Sequence, residues 1–209
     1  MTMSHPVFIS VYAADDPGSV QQRLERAVAD FCEACGIPMP AAANLITART
    51  DRGKPYFPHA PQFHFSISHS GSYWACAMAD QAVGLDIQQT ERPRKETPEE
   101  MLLRHKKMAH RFFHPREAEF VDRDCANHFL TVWTAREAYV KHTGQGIDKH
   151  FSDHCVVPED AAVLESIGGR SDGIQWTAMG KYFRKGYFAG DYTLCVCTET
   201  PCAWVIRAF

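Results

Sequence analysis

Asn127-His-Phe-Leu-Thr-Val-Trp133-Thr-Ala-Arg136-Glu137-Ala-Tyr-Val-Lys141-His-Thr143 contains no proline and no glycine, and Gly144 and Gly146 follow it. It reads as the strongest helix of the second half of the chain, stopped by glycine. Working outward from it gives the fold class. Upstream, Pro98 to about Phe112 is rich in helix formers, and Pro115 can open a further helix running to Val121. Downstream, Ile174–Met179, Tyr182–Phe188, Tyr192–Thr198 and Trp204–Ala208 read as strands. The first half also mixes both kinds of element. Val7–Tyr12 reads as a strand. From Val20 the apolar positions Leu24, Ala27, Val28, Phe31 and Cys35 follow a helical period that Gly36 and Pro38 end. Phe63, Phe65 and Ile67 alternate with His64, Ser66 and Ser68, and Tyr73–Ala79 and Val83–Gln88 are further strands. Glu91–Glu96 is charged and reads as a linker. The expectation is an α+β protein of two lobes, 1–96 and 97–209, with mainly antiparallel sheets.

Bulk properties narrow the function classes. The chain has 209 residues, 45% hydrophobic and 22% charged, which suits a globular protein with a real core. Its formal charge of −3 carries no footprint for sequence-independent nucleic-acid binding. Apolar runs are too short for a membrane span, and the N-terminus lacks the pattern of a secretory signal. The eight cysteines mostly lie within apolar runs, so reduced, buried thiols and a cytoplasmic location are expected.

Four segments could carry chemistry. On the long helix, Trp133, Glu137 and Lys141 are spaced four apart and share a face. That is an ordinary solvated Glu–Lys pair, or a carboxylate and an ammonium aimed at a phosphate and its metal. In Val83-Gly-Leu-Asp86-Ile-Gln88, Asp86 lies in an apolar run, where an ionised carboxylate needs a partner or a metal. Asp86 and Gln88 share one strand face and offer oxygens suited to Mg²⁺; a strand-end turn exposing Asp86 is the plainer reading. Phe65-Ser-Ile-Ser68-His69-Ser-Gly71 could donate to phosphate oxygens or be an ordinary polar strand end. Gly53-Lys54-Pro55 holds a lysine in a turn. Competing readings are weaker. Cys32-Glu-Ala-Cys35 has the spacing of a zinc or redox site but lies in a helix without a second ligand pair. Ser68-His69 lacks a nucleophile elbow, so a hydrolase is disfavoured.

Taken together and in order, Gly53-Lys54-Pro55, Phe65–Gly71, Val83–Ile87 and Trp133–Lys141 resemble the successive motifs of Sfp-type 4′-phosphopantetheinyl transferases. Phe112-Phe113-His-Pro-Arg-Glu117 resembles the segment preceding the last motif. The resemblance covers about residues 40 to 157. It implies a pseudo-dimer of two similar α/β lobes with coenzyme A in the cleft between them. It implies Mg²⁺-dependent transfer of phosphopantetheine to a serine of an acyl or peptidyl carrier protein, with release of adenosine 3′,5′-bisphosphate. It assigns Asp86 and Glu137 to the metal, with Gln88 as a further ligand, and Glu137 and Lys141 to catalysis. It gives Lys54, Ser68 and His69 to the phosphates of coenzyme A and Arg23 to the ribose phosphate. It implies a monomer whose partners are coenzyme A and a carrier protein docking on the C-terminal lobe. Three departures stand out: Gln88 where relatives often have Glu, Arg136 where Lys is usual, and a short segment before the first helix. A non-catalytic relative that binds coenzyme A or a carrier protein is the alternative.

Overall fold

A computed structural model describes residues 5–90, 96–146 and 150–209. The expected linker falls mostly on residues 91–95, outside the described residues. The elements in chain order are β1 (Val7–Ala13), α1 (Val20–Cys35), β2 (Ala48–Arg49), β3 (Pro55–Tyr56), β4 (His64–Ser70), β5 (Tyr73–Ala79) and β6 (Val83–Gln89). Then come α2 (Pro98–Phe112), α3 (Pro115–Arg123), α4 (Cys125–Thr143), α5 (Ala161–Gly168), β7 (Ile174–Ala178), β8 (Lys181–Phe188), β9 (Tyr192–Thr198) and β10 (Trp204–Ala208). The fold is α+β, as expected. Local signals set the helix ends. Ser19 with Gln22, and Thr97 with Glu100, form reciprocal capping boxes at the starts of α1 and α2. Gly36 ends α1 at φ +65°, a conformation that costs glycine least. The short helix α5 was not read from the sequence.

Two four-stranded sheets carry the fold, ordered β10-β1-β5-β4 and β6-β9-β8-β7. All their pairings are antiparallel except β1 with β10, which is parallel. Each sheet contains one strand from the other half of the sequence. β6, from before residue 96, pairs with β9, while β10, from the C-terminal end, pairs with β1.

Three buried clusters define the layers. Leu24, Ala27, Val28 and Phe31 of α1 pack on Phe8, Tyr12, Phe65 and Met78 of the first sheet. The opposite face of that sheet, Val7, Ile9, Val11, Ala75 and Ala77, meets Val83, Leu85, Ile87, Leu194 and Val196 of the second. The far face of the second sheet, with Phe183, Cys195 and Cys197, packs on Ala135, Ala138 and Tyr139 of α4. The order is helix, sheet, sheet, helices, with every sheet face covered. All eight cysteines are free and six are buried. Among the described residues no helix is long and apolar enough to cross a membrane.

Edge strands β4 and β6 meet without a backbone ladder. Ser66, Ser68 and Ser70 alternate along β4, so their hydroxyls share a face. Their Oγ atoms accept from the backbone N–H groups of Leu85 (2.9 Å), Ile87 (3.3 Å) and Gln89 (2.9 Å). Unpaired edge amides are costly to bury, and here three serines satisfy them. This hydroxyl seam joins the two sheets directly beside Asp86.

Candidate active site

Glycine brings the site together. A Cβ on Gly84 would lie 1.9 Å from the carbonyl oxygen of Ala138 and 2.5 Å from the amide of His142. Only a residue without a side chain lets β6 lie this close on α4. Two residues on, Asp86 points at the same helix. Its carboxylate is 2% exposed and reaches the Lys141 ammonium at 2.7 Å. Oδ1 also accepts from Ser68 Oγ at 2.7 Å, and Oδ2 accepts from Gln88 Nε2 at 3.0 Å. Lys141 Nζ donates to Ser68 Oγ at 3.0 Å as well. Ser68 thus touches both charges and the seam.

Glu137 lies one helical turn before Lys141 and is half-buried. Burial pushes its carboxyl above the usual range, and the nearby Asp86 carboxylate pushes the same way, against Lys141 and Arg136. Among the described residues Glu137 makes no hydrogen bond or ion pair. One carboxylate is therefore held by three donors and the other is open, the two repelling across the gap between strand and helix. Two carboxylates with one amide oxygen nearby form a donor set that fits a small hard dication, which takes few protein ligands and keeps its waters. Among the described residues no group of three or more His, Cys, Asp or Glu could hold a metal. Among the described residues Cys32 and Cys35 gain no further metal ligands. Burial raises both thiols, which disfavours the thiolate that metal binding or redox exchange needs.

Two cavities flank Asp86. On the Lys141 side, a cavity of about 250 Å³ is lined by Arg49, Arg52, Lys54 and Lys141 and by Gly53, Gly144 and Gly146. Among the described residues no carboxylate lines it. Lys54 Nζ donates to the His142 carbonyl at 2.5 Å, and burial lowers its pKa. Arg49 and Arg52 were not singled out in the sequence; the signal was there in the crowding of Arg49, Arg52 and Lys54 around one turn. On the Gln88 side, a second cavity of about 250 Å³ is lined by Gln88, Met101, Met108, Phe129, Leu130 and Trp133, among others. The first space is lined by four cations; the second mixes Met101, Met108, Phe129, Leu130 and Trp133 with Gln89, Glu96, Arg104 and His105.

The other expected residues lie apart. His69 is exposed and pairs across the strands with Trp74, on the face opposite Ser68. Arg23 is 8% exposed and lies over the Trp74 ring at 5.7 Å. Its guanidinium is engaged with Asp16, both at the carboxylate and, by a short bond, at the backbone carbonyl. His69 and Arg23 therefore share the α1 face of the first sheet, while Ser68, Asp86, Gln88, Glu137 and Lys141 gather where β4, β6 and α4 meet.

Arg136 also has a clear place. It is 2% exposed and forms a short ion pair with fully buried Glu117. It donates to the carbonyls of His154 (2.8 Å) and Phe151 and lies over the rings of Phe113 and Phe151. Glu117 accepts in addition from the amides of Val156 (2.7 Å) and His114 (3.0 Å). A planar fork with several donors meets this set of acceptors better than a single ammonium could.

A sequence model of the 4′-phosphopantetheinyl transferase superfamily matches residues 82–197, more than half of the chain. Over 100 residues, 46% of this chain and 39% of the relative, the sequence is 34% identical to a 4′-phosphopantetheinyl transferase of Bacillus subtilis. It is 30% identical over 108 residues, 50% of this chain and 40% of the relative, to the 4′-phosphopantetheinyl transferase gsp of Aneurinibacillus migulanus. It is 29% identical over 114 residues to the L-aminoadipate-semialdehyde dehydrogenase-phosphopantetheinyl transferase of Xenopus laevis, covering 49% and 36% of the two chains. The matched stretch is about two fifths of the length of the curated relatives.

Proposed function

The chain belongs to the 4′-phosphopantetheinyl transferase superfamily, and from that premise we propose that it transfers the 4′-phosphopantetheine arm of coenzyme A to a carrier-protein serine. The observation that carries this reading is that Asp86 is bonded to both Lys141 and Gln88, each of which lines a different cavity. Coenzyme A has a nucleotide diphosphate at one end and a neutral amide-and-thiol arm at the other. A groove lined by Arg49, Arg52, Lys54 and Lys141 suits the first, and a mixed cavity, with Met101, Met108, Phe129 and Trp133 beside the polar Gln88, Gln89 and Thr90, suits the amide-bearing second. The bond to be broken would then lie beside Asp86, Glu137 and Lys141.

In this reading the serine oxygen bonds to the phosphorus on the pantetheine side, and the bond to the departing adenosine 3′,5′-bisphosphate breaks. Glu137, open and raised in pKa, accepts the serine proton. Lys54 and Lys141 hold the phosphates, and Lys141 stabilises the leaving one. Asp86 and Glu137, with Gln88 as a neutral third oxygen, would hold a Mg²⁺ ion that supplies charge neutralisation at the diphosphate. Ser68 and His69 are proposed with Lys54 and Lys141 for the phosphates of coenzyme A, and Arg23 for the ribose phosphate, which it can take only by leaving Asp16.

We read 1–96 and 97–209 as the two lobes of a pseudo-dimer that trade one strand each. The protein is proposed to act as a cytoplasmic monomer. Its carrier protein is proposed to dock on the C-terminal lobe, where exposed Leu103 and Phe112 stand beside Lys107 and Arg111 on α2. An acidic partner suits that surface. The test is intact-mass analysis of an apo carrier protein after incubation with this protein, coenzyme A and Mg²⁺, with a chelator control. A chelator-sensitive gain of about 340 Da, a rough mass for the arm, is expected for metal-dependent transfer. No gain across acyl and peptidyl carriers, with coenzyme A binding intact, would leave a non-catalytic binder.

A further inference from the structure

Asp86 already holds a cation. The Lys141 ammonium sits 2.7 Å from Oδ1, one of the two oxygens that Asp86 offers a divalent metal. The neighbouring hydroxyl makes this contact a directed one. Ser68 Oγ accepts from the Ile87 amide at 3.3 Å and from Lys141 Nζ at 3.0 Å. Both its lone pairs are then used, and its one proton can only go to Asp86, at 2.7 Å. With Gln88 Nε2 on the other oxygen, three donors hold the carboxylate, two of them on Oδ1. A dication and an ammonium cannot both take the same oxygen at bonding distance, because like charges this close repel strongly in a partly buried site.

Resting on the metal assignment above, we propose that Lys141 is a latch on Asp86: its ammonium, positioned by Ser68, competes with the divalent metal and leaves when a polyanion enters the cationic groove. Lys141 also lines that groove with Arg49, Arg52 and Lys54, so the ammonium has a second place to go. A diphosphate arriving there draws Lys141 away and frees Asp86. By linkage, the metal in turn favours the diphosphate. Metal and substrate thus bind together, and neither binds tightly alone. Ser68 is then a positioning residue, since its hydroxyl is spent on Lys141, Asp86 and Ile87.

The test measures Mn²⁺ affinity by electron paramagnetic resonance on the full chain, with and without coenzyme A and with no carrier protein present. Four proteins are compared: the native chain, Lys141→Met, Ser68→Ala, and the double variant Lys141→Met/Asp86→Asn. Near-UV circular dichroism checks that each is folded. Without coenzyme A, Lys141→Met is expected to bind Mn²⁺ about tenfold more tightly than the native chain, a coupling of ordinary size. Ser68→Ala, which loosens the latch without removing it, should give a smaller gain. The double variant should lose the gain. Coenzyme A should tighten Mn²⁺ binding in the native chain and much less in Lys141→Met. Unchanged or weaker Mn²⁺ binding in Lys141→Met, with binding still dependent on Asp86, overturns the latch and leaves the metal assignment standing. Tight Mn²⁺ binding that persists in the double variant overturns both. Ser70→Ala breaks a seam contact of the same kind away from Asp86, and a gain as large as that of Ser68→Ala would overturn the positioning role.

Discussion

Helix α4 makes two carboxylate–cation pairs, and they could hardly differ more. Arg136 meets Glu117 with both side chains almost fully buried, and every strong donor and acceptor in the cluster is internal: two amides onto the carboxylate, two carbonyls under the guanidinium, two aromatic rings around it. Lys141 meets Asp86 with the carboxylate buried and the lysine side chain 28% exposed, at the wall of a cationic groove. The first pair ties α3, α4 and the segment before α5 together and has nowhere to move. The second is held by three donors on one side and open on the other. Charge pairing alone thus says little about role. What separates a structural pair from one that can act is whether one partner retains a path to solvent and a second place to bind.

The sharpest way to break this distinction is to remove the open pair's carboxylates. Asp86→Ala and Glu137→Ala are each expected to lower the transfer rate by about a hundredfold or more, while the melting temperature changes little; near-normal turnover in either would take that residue out of the mechanism. The closed pair should respond in the opposite sense. Arg136→Ala should cost about 3–5 kcal/mol of stability in chemical denaturation, because it leaves Glu117 buried and uncompensated. A loss under about 1 kcal/mol would mean that the pair is dispensable to the fold.

Next to Lys141, His142 is 5% exposed, with Glu199 Oε1 3.2 Å from its ring. Burial lowers its pKa to about 4. The folded state therefore binds fewer protons than the unfolded chain between that value and the ordinary histidine range near 6.5. Stability is fully present above about pH 6.5 and is lost as pH falls toward 4, by up to about 3 kcal/mol. His142→Gln should flatten that part of the stability–pH curve, and an unchanged slope would assign the loss to other groups. The smallest effect is expected at the edge of the open pair. Gln88→Glu should keep or raise activity by a few-fold, by adding a charge that the metal can use. Complete loss there would give the neutral amide, which now donates to Asp86, a required role.

Much of this was legible beforehand, for local reasons. The helical period from Val20, glycine after Thr143 and the period-two strands all act within a few residues. Asp86, Glu137 and Lys141 stood out because a charge in an apolar strand and a pair four apart on a helix need a reason. Other features involve partners far along the chain. Ser66, Ser68 and Ser70 looked like phosphate donors; they lie instead along the edge of β4, with their acceptors turned to the amides of β6. Arg23 looked available, yet the Asp16 loop occupies it. Lys185 lay in an expected strand, but that its ammonium would be buried against Thr131, Ile167 and Gly169 had no local signature.

The longer helices and strands, the α+β class, the candidate chemistry and the family were legible in the sequence alone, because propensity, periodicity and motif order are written in neighbouring residues; α5, β2 and β3 were not. Only the tertiary structure decided that β6 and β10 cross between the sheets, that Gly84 lets a strand lie on α4, and that one cation is locked while another faces a groove. Those outcomes depend on which backbones come within a few ångströms of one another, and on how fully each charge is removed from water once they do.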